Sequence, residues 1–144
     1  MGVTEISRNK NQEIIFQIYF AFLVYQKLNL QINFKQMVED IYGDEYNNIN
    51  VYTKEVLIKS LKYKDSAVQM ISKYLKNWKF DRLNYCTQAL LIISVVNYFY
   101  LTENSKAIII NVAVNLAKKY CDETDFKLIN AILDRCLDDS NKQQ

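Results

Sequence analysis

The chain has 144 residues, enough for one domain with a substantial core, and half of them are hydrophobic, which excludes a disordered polar segment. It contains no proline, no histidine and only two glycines, Gly2 and Gly43. This argues against strand-rich folds built on tight turns, and against histidine-based catalysis or zinc binding. The formal charge of +2 is too small to announce nucleic-acid binding by itself.

Helical periodicity begins near Asn11, where Ile14, Ile15, Ile18, Phe22 and Tyr25 recur at three- and four-residue steps. Asn33 is placed to cap a short helix carrying Phe34, Met37, Val38 and Ile41, closed by Gly43. Residues 44–50 are polar and read as a loop. Thr53 reads as the cap of the next helix, with Val56, Leu57 and Leu61 inward, and Asp65 or Ser66 restarts the pattern through Val68, Ile71, Tyr74 and Leu75. A hinge at 76–81 leads into an apolar run at 89–101, too short for a membrane span, which needs about 20 residues, and so read as a buried core helix. Two further helices are expected at about 105–120 and 124–137. Seven helices with short connections and no Pro- or Gly-rich linker predict one all-α bundle over 1–144, with residues 1–10 and 138–144 as flexible flanks.

Charge is unevenly distributed. Residues 54–82 hold eight basic side chains against three acidic, whereas residues 122–139 hold six acidic against two basic. Such asymmetry can orient a polyanion, although two solvated helix faces are its more ordinary source. Cys86, Cys121 and Cys136 have no metal-ligand spacing and read as reduced intracellular thiols. The N-terminus has no basic start followed by an apolar run, and Ile6 stands where a myristoylation motif wants Ser or Thr, so a cytoplasmic protein without membrane attachment is expected. No Gly-rich loop cradles phosphate, and the acid pairs Glu39-Asp40 and Asp138-Asp139 would splay apart on a helix. No enzyme, cofactor or metal site is expected.

The most specific signal lies in Ile110-Asn111-Val112-Ala113-Val114-Asn115-Leu116-Ala117-Lys118-Lys119-Tyr120, followed by Lys127-Leu128-Ile129-Asn130-Ala131-Ile132-Leu133-Asp134. It resembles the C-terminal signature of the NusB family, Ile-Asn-Glu-Ala-Val-Glu-Leu-Ala-Lys and then Lys-Phe-Val-Asn-Gly-Val-Leu-Asp, departing from it at Val112, Asn115 and Ala131. Near the N-terminus Arg8 to Phe20 aligns without a gap with the family's Arg-Glu-x-Ala-x-Gln-x-Leu-Tyr helix, Glu13 and Gln17 matching and Phe20 replacing the tyrosine. Leu75-Lys76-Asn77-Trp78-Lys79-Phe80-Asp81-Arg82-Leu83 resembles Leu-x-x-Trp-x-Leu-x-Arg-Leu. In the long apolar helix the frame persists while the charged positions have gone.

The resemblance implies a helical bundle of two packed three-helix units sharing the long apolar helix. It implies an RNA-binding accessory factor in transcription antitermination or ribosomal RNA synthesis, holding a short single-stranded boxA element together with the ribosomal protein NusE in a transcription complex. Carried over residue by residue, Arg8 is the one family arginine retained and Lys10 a weaker substitute. Lys76, Lys79, Arg82 and Lys127 are candidates to compensate, and Phe20 is placed to stack on a base. Asn111 and Asn130 read as amides tying neighbouring helices together, and Trp78 as a core anchor at a helix junction.

The competing reading is a protein-interaction module, or a homodimer as some NusB-like proteins form, that keeps the bundle without specific RNA binding. It draws on uncharged Thr87, Gln88, Ile92 and Asn97, which stand where the family is usually charged. NusB-like domains also precede RNA methyltransferase domains, but these residues hold no cofactor-binding βαβ pattern.

Overall fold

A computed structural model describes residues 8–101 and 104–138. Among them are seven α-helices and no strand: α1 (Arg8–Lys27), α2 (Phe34–Tyr42), α3 (Val51–Lys62), α4 (Lys64–Ser72), α5 (Tyr85–Tyr100), α6 (Lys106–Tyr120) and α7 (Asp125–Cys136). Short 3-10 turns at Tyr46–Asn48 and Phe80–Arg82 occupy the expected loop and hinge. Arg8, Asn9 and Lys10, at the end of the expected N-terminal flank, form the first turn of α1; residues 1–7 and 139–144 lie outside the description.

Local chemistry starts and stops these helices. Asn33, Asn50, Asn84 and Ser105 each accept a hydrogen bond from the backbone N–H three residues on, at 3.1, 3.2, 2.8 and 3.3 Å. Caps of this kind stabilise a helix by about 1 kcal/mol each. Gly43 closes α2 at φ 90°, its N–H donating to Glu39 O at 2.8 Å, a conformation that L side chains rarely adopt. Two expected caps are corrected. Asn50 rather than Thr53 opens α3, and buried Thr53 instead donates to Asn11 Oδ1 at 3.2 Å, tying α3 to α1. Neither Asp65 nor Ser66 caps α4, which begins one residue after α3 ends, with Tyr63 between them.

The core forms around α5. All residues from Cys86 to Tyr98 are buried, and α1, α3, α4, α6 and α7 pack against this helix. Helix α1 packs on α2 and α3, and α7 packs on α6 and α4, which gives two groups of three helices, the expected arrangement, meeting at α5 and also touching through α3–α4 and α1–α6. Thr87, Gln88, Ile92 and Asn97 lie inside this core, at most 7% exposed. Burial explains why they carry no charge, since an unpaired ion there would be strongly disfavoured. They form no outer surface, which removes the observation behind the interaction-module reading. Gln88 donates to Leu83 O at 2.7 Å, and Asn97 to Tyr52 Oη at 2.8 Å, so these amides are satisfied.

Three further expectations fail for reasons of packing. Trp78 is 61% exposed, because Phe80, two residues on, fills the core place at that junction. Asn111 and Asn130 are exposed and line an open groove of about 670 Å³ between α6 and α7. Contacts between those helices include Lys106, whose Nζ donates to Asp134 O at 2.7 Å, and Lys118, whose Nζ lies 4.9 Å from the Phe126 ring centroid. The thiols are not all reduced: Cys86 and Cys121 form a disulfide, with Cα atoms 5.7 Å apart, while Cys136 is outside the disulfide and buried. No described helix is long and apolar enough to cross a membrane.

Candidate nucleic-acid interface

The first turn of α1 presents Arg8, Asn9 and Lys10 to solvent. One turn further on, Glu13 faces α6 and is only 8% exposed. Its carboxylate accepts hydrogen bonds from Lys119 Nζ and from the Tyr120 hydroxyl, and lies 3.6 Å from Lys10 Nζ. A second α1 side chain, Gln17, donates to the same Tyr120 hydroxyl at 3.0 Å. Glu13 and Gln17, the two polar residues that match the family's first-helix pattern, thus both grip the last residue of α6.

The electrostatics follow from that grip. Hydrogen bonds from Lys119 and then Tyr120, helped by the charges of Lys119 and Lys10, hold the Glu13 carboxyl down to about 2 against the opposing effect of burial. The Lys119 ammonium is correspondingly raised by its hydrogen bond to Glu13. Two cations, Lys10 and Lys119, therefore flank a single carboxylate that is ionised at neutral pH, and the face keeps a positive excess.

Aromatic rings complete the face. The Tyr120 ring lies 5.2 Å from buried Phe16, which lies 6.0 Å from Phe20. Tyr120 and Phe20 are 39% and 37% exposed, so two half-open rings flank one buried ring, with Lys119 Nζ 5.4 Å from the Tyr120 centroid. Cations set beside open π-faces are the elements with which proteins bind single-stranded nucleic acid.

The other predicted cations lie elsewhere. Lys76 lines a cleft of about 250 Å³ with Trp78, Tyr74, Leu128 and Arg135, between the α4–α5 connection and α7. Lys79 and Arg82 flank and end the 3-10 turn before α5; Asp81 of that turn shares a pocket with Gln26 and Lys27 at the far end of α1. A helix of 20 residues is about 30 Å long, which separates this region from Arg8. Lys127 stands in the first turn of α7, beyond the acidic turn of Asp122 and Glu123. The structure brings Lys10 and Phe20 onto one face and adds Lys119 and Tyr120, which the sequence reading missed, whereas Arg8, two residues before Lys10, stands on another side of the first turn of α1. Lys119 and Tyr120 lie within the C-terminal motif, but nothing local in that motif says which helix they face.

Comparison with known proteins comes last. The sequence profile of the NusB family matches residues 9–138. The transcription antitermination protein NusB of Methylacidiphilum infernorum (isolate V4) is 32% identical over 142 residues, covering 96% of this chain and 95% of that protein. The solved structure of T. maritima NusB superposes with a TM-score of 0.80 at 19% identity, covering 93% of this chain and 92% of that one. A structure of antitermination factors NusB and NusE in complex with dsRNA gives 0.75 at 20% identity, covering 90% and 95%. Likeness at such low identity speaks for the fold.

Proposed function

This chain belongs to the NusB family, and from that premise we propose that it is an RNA-binding accessory factor in transcription antitermination or ribosomal RNA synthesis. It acts in the cytoplasm by binding, without catalysis. Its RNA is a single-stranded boxA-type element, held jointly with a NusE-type ribosomal protein that completes the site within a transcription complex. The observation that carries this reading is the α1–α6 face, where exposed Tyr120 and Phe20 flank Phe16 beside Lys10 and Lys119, with Arg8 exposed in the same first turn of α1. Arg8 and Lys10 take phosphates, and the two rings offer stacking surfaces that any base can use. Glu13 and Gln17 hold the Tyr120 hydroxyl, so the ring is positioned before RNA arrives. Lys127, Arg82, Lys79 and Lys76 would extend the contact for a longer strand.

Fluorescence anisotropy of a labelled boxA-type RNA tests the proposal, run beside a scrambled RNA at two salt concentrations, with and without a NusE-type protein. Binding that prefers boxA, weakens with salt and tightens with the partner is the expected result. Equal binding of both RNAs under every condition would overturn it.

A further inference from the structure

The disulfide sits next to the ring that the RNA reading depends on. Cys121 directly follows Tyr120 and ends α6, its N–H donating to Ala117 O at 2.9 Å. Its bond to Cys86 ties that end to the first turn of α5, the most deeply buried helix, across 35 residues of sequence. Beyond Cys121 the chain enters an exposed turn, where the Asp122 N–H and the Asn84 amide both donate to Asp125 Oδ2, at 2.9 and 2.8 Å. The last turn of α6 is thus anchored covalently on one side and by the Glu13 and Gln17 hydrogen bonds on the other.

We propose that the Cys86–Cys121 disulfide is a reversible redox latch that fixes the end of α6, and with it Tyr120 and Lys119, in the geometry that binds RNA. The proposal rests on the RNA-binding function above and specifies its regulation. The reductant is a dithiol. One of its thiolates attacks Sγ of Cys121, which is half-buried where Cys86 is buried, so the Cys86–Cys121 bond breaks and Cys86 leaves and takes a proton. The second thiol of the reductant then displaces Cys121 from the mixed disulfide. Two electrons and two protons pass from the dithiol to the protein, and the reductant becomes a disulfide. The same exchange run backwards, from an oxidant that is itself a disulfide, remakes the Cys86–Cys121 bond and returns the electrons and protons to the oxidant as two thiols. Cys136 takes no part: it is buried in α7, and burial pushes its thiol up to about 12, so it stays protonated and cannot reshuffle the bond. In the reduced protein the last turn of α6 ends next to an exposed turn without its covalent anchor, and its terminal residues fray.

The test compares the full chain in oxidised and dithiol-reduced forms, with thiols counted after denaturation. One thiol in the oxidised form and three after reduction are expected. Anisotropy with the boxA-type RNA should show roughly fivefold to tenfold weaker binding on reduction, regained on reoxidation. The salt dependence should stay the same, because no cation is lost. Cys86→Ser with Cys121→Ser should remain in the weak state under both conditions, while Cys136→Ser should still respond. Reduced wild-type protein serves as the reference that needs no substitution. Three thiols after oxidation, or equal affinity with and without the bond, would overturn the latch. If neither form binds RNA, the functional reading fails separately, and hydrogen exchange at residues 117–121 decides. Faster exchange on reduction supports the latch, and unchanged exchange refutes it.

Discussion

The α1–α6 face and the segment joining α4 to α5 carry the same kinds of side chain, cations beside an exposed aromatic ring, yet they are held very differently. On the first face Tyr120 is gripped by Glu13 and Gln17, packed against Phe16 and followed by a residue bonded to α5. On the second, Trp78 is 61% exposed, and among the described residues no side-chain hydrogen bond or ion pair holds Trp78, Lys76, Lys79 or Arg82. A cation and a ring are common surface features. A ring whose hydroxyl and face are both fixed in advance loses less conformational freedom on binding, which is what separates a site from a patch.

Four experiments bear on that contrast. Arg8→Ala together with Lys10→Ala should weaken RNA binding by roughly a hundredfold at moderate salt and lower the slope of log affinity against log salt by about 1.4. The melting temperature should scarcely change, because both residues are exposed. Unaltered binding would move the site away from α1. Tyr120→Ala comes next: removing one stacking ring should weaken RNA binding by roughly 1–3 kcal/mol. Tyr120→Phe keeps the ring but releases Glu13 and Gln17, so a smaller loss than for Ala would isolate the value of fixing the ring; a loss equal to that for Ala would show that the hydrogen bonds matter more than the stacking surface.

The third experiment concerns pH. The Glu13 carboxyl is held at about 2, below its ordinary 4.5, so its contribution to folding is fully present above the ordinary value and disappears as pH falls through about 2. The melting-temperature gap between wild type and Glu13→Gln should therefore narrow from about pH 4.5 downward. A constant gap across that range would mean that the cluster does not bind the ionised carboxylate preferentially. The smallest effect is expected of Lys76→Ala with Trp78→Ala, which should alter stability by no more than about 0.5 kcal/mol and RNA affinity by about twofold. A loss approaching that of the Arg8 and Lys10 pair would erase the distinction between the two regions.

Much of this architecture was legible in the sequence because local rules decide it. Asparagine and serine caps act within one turn, Gly43 is needed for a positive φ, and thirteen consecutive buried residues of α5 had already announced a core helix through their lack of charge. The candidate site was half legible. Arg8, Lys10 and Phe20 stand out by their match to the family's first helix, whereas Lys119 and Tyr120 reach Glu13 across more than a hundred residues. Trp78, Asn111 and Asn130 were misread for the same reason: residue type suggested burial, and only the packing of neighbours such as Phe80 and Ile129 left them outside.

By itself, then, the sequence determined the seven helices, the ends of α2 that Asn33 and Gly43 mark, and the helix at their centre, since capping and amphipathic periodicity are properties of adjacent residues. Only the tertiary structure decided which cations share a face with which rings, and which two of three cysteines meet. Those pairings depend on how α6 packs across both α1 and α5. That packing is settled by the fit of buried side chains from distant segments, which no local pattern encodes.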